Sequence, residues 1–94
     1  MMANKPLDFT KVEALRRHML LSIRDIAIVL GVSRMTYYGW LKGKPLRKSN
    51  DKKVRGKLRD LLDLMKDGYP QPEIIALESV DRRQRLLELL GEKS

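Results

Sequence analysis

The stretch "SIRDIAIVLGVSRMTYYGWLKGKP", residues 22–45, decides the reading of this chain. Ser22 followed three residues later by Asp25 has the form of a capping box, with Asp in place of the usual Glu. Ile23, Ile26, Ala27 and Leu30 recur at helical spacing, Ile28 and Val29 widen the stripe, and Gly31 is a good left-handed stop. Ser33 is the expected N-cap of the next helix, which runs to about Lys42 and ends at Gly43. Two short helices therefore flank a tight, glycine-containing turn. Ala27, four residues before Gly31, is small enough for the second helix to cross closely, and Val32 plugs the turn.

The second of these helices has two unlike faces. Tyr37, Trp40 and Leu41 share the inward side, so Tyr37 and Trp40 read as core. Met35, Tyr38, Gly39 and Lys42 share the other side, with Arg34 beside Tyr38. Gly39, in the middle of the helix, gives up about 0.8–1.0 kcal/mol of helix propensity relative to alanine. With Ala27 counted as the fifth position of a helix-turn-helix, Gly31 falls at the ninth, and Tyr37 and Trp40 at the fifteenth and eighteenth.

Outward from this pair, "TKVE" at 10–13 reads as a capping box that opens a first helix near Thr10, with Val12, Leu15 and Met19 as its stripe. "NKPLD" before it is an irregular lead-in. After the basic loop "GKPLRKSN", a fourth helix is expected from a cap at Asn50, with Asp51 favouring the positive end of its dipole, to a stop at Gly68. Its apolar stripe is Val54, Leu58, Leu61, Leu62 and Met65. "GYPQP" is a rigid turn, "PEIIALES" suits a short helix opened by Pro72, and a last helix is capped at Ser79 and closed by Gly91. Strand signals are weak throughout. The expected class is all-α: a compact helix-turn-helix domain of four to five helices over 1–67, and a C-terminal helical extension over 68–94.

Composition limits the function. Lys and Arg number 20 against 12 acids, a net charge of +8, so a polyanion is the natural partner. The excess is +6 over residues 1–47, +3 over 48–67 and −1 over 68–94, which places the polyanion site in the first two thirds. There is no cysteine and one histidine, so no disulfide, thiolate zinc site or histidine metal cluster is expected, and no cofactor. No apolar run reaches the roughly 18 residues of a membrane span. "MMANKPLDF" has no apolar stretch after its lysine, so no secretory signal is expected and the location is expected to be cytoplasmic. No carboxylate pair, histidine constellation or phosphate-cradling glycine loop suggests an enzyme or a small-molecule site.

The region from Leu15 to Pro45 resembles the helix-turn-helix of the lambda-repressor/Cro-like regulators of phages and bacteria. The matching residues are Arg16, Ser22, Ala27, Leu30, Gly31, Val32, Ser33, Tyr37, Trp40 and the "KGKP" after the helix. The resemblance covers roughly residues 10–67 and implies a helical DNA-binding domain that works as a dimer. Three features depart from it. Leu41 stands where that family often has a glutamate paired with the arginine matching Arg16; Tyr37 stands where isoleucine or valine is usual; and the last third is unlike it.

In such a motif the second helix enters the major groove with its N-terminal residues at the base edges. Arg34 is then expected to read a guanine, a contact worth about 1–3 kcal/mol of discrimination. Met35 packs on a thymine methyl, Ser33 and Tyr38 donate to phosphates, Lys42 and Lys44 neutralise phosphates, and Gly39 lets the backbone approach closely. By its position in the resemblance Arg24 is a further phosphate contact. Tyr38 also fits plain exposed surface, and "RKSNDKK" fits a set of phosphate contacts as well as it fits a solvated loop and helix start.

Beyond Gly68, Ile74, Ile75, Leu77, Val80, Leu86, Leu87, Leu89 and Leu90 exceed what a small domain readily buries. The last four leucines cover a wide arc, from which a homodimer is expected, with a fully intramolecular helix as the alternative. The function expected is sequence-specific recognition of double-stranded DNA by a transcriptional regulator, a repressor acting by operator occlusion. The rival readings are a phage packaging or recombination accessory protein, and a helical adaptor that binds RNA polymerase or another regulator.

Overall fold

A computed structural model describes residues 6–93. It is all-helical, with six helices in the order α1 (Phe9–His18), α2 (Ile23–Leu30), α3 (Arg34–Leu41), α4 (Lys48–Lys66), α5 (Pro72–Ile75) and α6 (Ser79–Lys93). The expectation for the first residues of the chain falls largely on 1–5, outside the described residues. Among the described residues no helix is long and apolar enough to cross a membrane.

The central pair forms as its sequence dictates. Ser22 Oγ accepts from the Asp25 amide at 3.0 Å and Asp25 Oδ2 accepts from the Ser22 amide at 3.1 Å, so the capping box is complete. Gly31 closes α2 at φ 73°, the left-handed region that a β-carbon disfavours. Ser33 caps α3 by accepting from the Thr36 amide at 3.0 Å. Pro72 opens α5 as expected.

Three helices differ from expectation at their termini. The cap of α1 is Asp8, whose carboxylate accepts from the Thr10 amide at 3.0 Å, and the helix starts one residue before Thr10. Glu13 is thereby released from a capping box and turns inward. Helix α4 begins at Lys48 rather than after Asn50, and Arg47, which precedes it, makes no side-chain cap bond. Asn50 lies within the first turn. Helix α6 starts at Ser79 itself and runs through Gly91 to Lys93. A glycine inside a helix costs only about 1 kcal/mol, less than the anchoring of its neighbour Leu90 returns.

Helix α2 packs on α3 and α4, α4 packs on α6, and α5 packs on α6. One core joins Val12, Leu15 and Met19 of the first helix and its end to Ile26, Val29 and Leu30, to Tyr37 and Trp40, and to Val54, Leu58 and Leu61. Tyr69, Ile74, Leu86 and Leu90 belong to the same core. The leucine arc of α6 is therefore largely absorbed within the molecule: Leu86 and Leu90 are fully buried, and Leu87 and Leu89 are partly buried against them. Leu41, expected inside, is instead exposed at the rim. It lies about 100° round the helix from Trp40 and so leaves the buried arc.

Candidate nucleic-acid interface

What fixes α3 is a cluster of rings and one polar knot. Phe9 stacks on Trp40 at 5.4 Å and meets Tyr37 edge-on at 6.5 Å, and Tyr37 meets Trp40 edge-on at 5.9 Å. Such pairs add about 0.5–1.5 kcal/mol each beyond burial. Tyr37, fully buried, donates its hydroxyl to Glu13 Oε2 at 2.6 Å. Arg16 grips the same carboxylate through Nε at 2.7 Å and Nη2 at 2.9 Å, and its Nη1 donates to the Leu21 carbonyl at 2.8 Å. The arginine that lacks a glutamate at position 41 thus finds Glu13 on its own helix. The tyrosine hydroxyl carries the link across to α3. Tyr37 is therefore tyrosine for its hydroxyl as well as its bulk.

The electrostatics agree. The hydrogen bonds from Arg16 hold the Glu13 carboxyl below its usual value against the opposing effect of burial, with Tyr37 and the charges of Arg16 and Arg17 adding to the shift. Burial first, and then the Glu13 carboxylate, push the Tyr37 phenol far up, so it stays a donor.

With Tyr37 and Trp40 inward, the opposite face of α3 is open. Met35 is 85 % exposed and Tyr38 48 %, and Arg34, Lys42 and Lys44 are exposed beside them. Met35, Tyr38, Gly39, Lys42 and Lys44 line one cleft of about 590 Å³, completed by Thr36, Trp40, Pro45, Arg47 and Asn50. Five of the eight sequence-predicted site residues are brought together there. Arg34 and Ser33 are exposed at the start of the same helix, outside the cleft lining, and Arg24 is exposed near the start of α2. The Ser33 hydroxyl donates to Thr36 Oγ1 at 2.9 Å.

Thr36 and Pro45 are residues of this cleft that the sequence reading leaves out; Arg47 and Asn50 fall in the run "RKSNDKK", for which a phosphate contact and a solvated loop stand as alternatives. The run "RKSN" held the signal. Asn50, expected as a helix cap, instead lies in the first turn of α4 and borders the cleft. The cleft combines an exposed helix face, three cations at 42, 44 and 47, and amide and hydroxyl groups, which is chemistry suited to phosphate and base edges. Among the described residues no group of His, Asp or Glu is placed to hold a metal ion.

Gly39 has a local cause. Helix α3 ends in a Schellman arrangement: the Gly43 amide donates to the Trp40 carbonyl at 3.0 Å and the Lys44 amide to the Gly39 carbonyl at 2.9 Å. The Lys44 stem folds back over Gly39, where an added β-carbon would lie 3.1 Å from Lys44 Cδ. Glycine here makes room for the lysine stem. On the other side of the pair, Lys53 Nζ donates at 3.0 Å to the Gly31 carbonyl that ends α2.

Comparison with known proteins gives one match. No curated protein and no solved structure matches the chain. The family model that matches is that of the homeodomain-like domain, a helix-turn-helix unit of DNA-binding type, and it does not single out the lambda-repressor/Cro-like branch. That match covers residues 6–43, from the lead-in of α1 to the glycine that ends α3, so this part of the chain is similar to a homeodomain-like helix-turn-helix.

Proposed function

We propose that this protein is a sequence-specific double-stranded DNA-binding regulator that represses by occluding an operator. The observation that carries the reading is the open face of α3. Arg34, Met35 and Tyr38 are presented to solvent while Tyr37 and Trp40 lock the opposite face. Arg34 would take guanine N7 and O6, and Met35 a thymine methyl. Tyr38, Lys42, Lys44 and Arg47 would hold phosphates on one side and Arg24 on the other, with Ser33 exchanging its Thr36 contact for a phosphate. Gly39 would act through Lys44, whose stem it lets fold against α3 toward that strand. The protein acts by binding alone, without a cofactor or catalytic step, and works in the bacterial cytoplasm, with a phage genome as one source.

The dimer belongs to this proposal. With the leucines of α6 largely absorbed, its support is the exposed Leu20 and Ile75, which line a shallow cleft of about 300 Å³ with His18, Met65 and Tyr69. Two-fold pairing would set two copies of α3 about 34 Å apart. Selection of duplexes from a random pool by the purified protein tests the whole reading. A palindromic consensus is expected. A pool that gains no consensus overturns sequence-specific recognition, and a non-repeated site overturns the two-fold dimer.

A further inference from the structure

The densest charge of the molecule lies outside the cleft. Between Lys48 and Arg59 the chain carries six basic residues and one acid. Val54, Leu58 and Leu61 turn one face of α4 into the core. The opposite face presents Lys48, Lys52 and Arg59 to solvent. Two shallow depressions of about 570 and 550 Å³ border Gly56, the first edged by Lys52, Lys53, Lys57 and Asp60, the second by Lys48, Lys52, Arg59 and the paired Asp51 and Arg55. Lys48, Lys52, Lys57 and Arg59 form no ion pair among the described residues, whereas Arg55 is paired with Asp51 and Lys53 is bonded to Gly31.

Gly56 sharpens the observation. It stands mid-helix, where glycine is the least stable residue short of proline. Unlike Gly39 it makes room for nothing in this chain, since a β-carbon there would meet no atom within 4 Å. The packing of the molecule does not call for glycine at this point. A partner whose anionic groups approach the backbone between the lysines would.

That face points away from the strand seated on α3. Asn50 borders the α3 cleft. Gly56 is six residues further on, which carries it about 9 Å along the helix and turns it about 120° away. We propose that this outer face of α4 binds a second segment of duplex DNA through its phosphates, without sequence preference, so that one molecule holds two DNA segments at once. The proposal rests on the reading that α3 holds the first.

A capture experiment separates the two sites. A bead-bound duplex carrying the selected site is loaded with the full chain and offered a fluorescent duplex of unrelated sequence. The wild type is expected to retain the second duplex. Lys48→Glu with Lys52→Glu and Arg59→Glu is expected to lower that retention at least about tenfold, the size of loss that removal of three phosphate contacts gives at moderate salt, with little change in binding of the first duplex. If the charge reversal unfolds the protein by circular dichroism, the triple glutamine variant replaces it. Retention that survives in the folded variant overturns the proposal, as does equal loss of both duplexes, which would put α4 on the first segment. Displacement of the second duplex by polyglutamate more readily than by unlabelled duplex would mark an acidic protein as the partner and overturn it too. A wild type that binds neither duplex overturns the DNA reading itself.

Discussion

Replacing Tyr37 with phenylalanine removes one oxygen and leaves the ring cluster in place. The hydroxyl lost is a donor to an ionised carboxylate at 2.6 Å, from a fully buried residue. Hydrogen bonds to charged groups contribute about 1.5–3 kcal/mol net. Glu13 Oε2 keeps its bond from Arg16 Nε at 2.7 Å, so the carboxylate is not abandoned and the cost belongs at the lower end, about 1.5–2 kcal/mol. For a chain of this size that corresponds to a fall in melting temperature of roughly 6–16 °C. The acid dependence is a second signature. The folded Glu13 titrates below the ordinary value of a glutamate carboxyl. Its contribution is therefore complete above that value and is lost as pH falls through the lower, folded one. Urea unfolding of the wild type and Tyr37→Phe should differ at neutral pH and converge in acid. A double-mutant cycle with Glu13→Gln should return a coupling of about 1–2 kcal/mol. A loss under about 0.5 kcal/mol, or a gap that persists unchanged into acid, would refute the account of how α3 is held.

Gly56→Ala should stabilise by about 0.8–1.0 kcal/mol, because the new methyl enters open space; thermal melts that show a loss would contradict this. Gly39→Ala should stabilise by less, since Lys44 Cδ at 3.1 Å must give way, and a gain equal to that at Gly56 would show the lysine stem to be of no consequence. Arg83→Ala leaves Asp25 buried without its partner at 2.9 Å. With the Ser22 amide still bonded, the expected cost is about 2–3 kcal/mol in urea, below the 3–5 of a pair left with nothing, and no loss would dismiss the latch between α6 and α2. Burial raises the Asp25 carboxyl, but the Ser22 and Arg83 hydrogen bonds and the Arg83 charge outweigh it and hold it below 3.8. That stability too is full above the unfolded value and disappears as pH falls through the folded one. On DNA, Lys44→Ala should flatten the salt dependence by about one unit on every sequence, and an unchanged slope would remove Lys44 from the phosphates.

The helix-turn-helix was legible because its signals are local. Ser22 with Asp25, Gly31 and Ser33 cap or break the backbone within three residues of themselves, and Tyr37 and Trp40 announce the buried side of α3 by spacing alone. The exposed face follows by subtraction, which is why Met35, Tyr38, Gly39 and Lys42 fall together. The failures at the starts of α1 and α4 have a common origin in choices between two acceptable local partners. Thr10 and Asp8 are both competent caps, and Asn50 could cap α4 or ride in its first turn. Tertiary contacts made the selection.

By itself the sequence determined the helical class, the positions of the central turn, the concentration of charge before Gly68 and the two-faced character of α3. Each depends on periodicity, capping or composition, which act over a few residues. Only the tertiary structure decided that Arg16 and Tyr37 meet on Glu13, 24 residues from the tyrosine, that Arg47 and Asn50 complete the cleft, and that the leucines of α6 close on this molecule's own core. Only there did the two mid-helix glycines part company, Gly39 making room for a lysine and Gly56 facing open space between unpaired cations. These contacts join segments far apart in the chain, and neither periodicity nor composition records which distant side chains will come within 3 Å of one another.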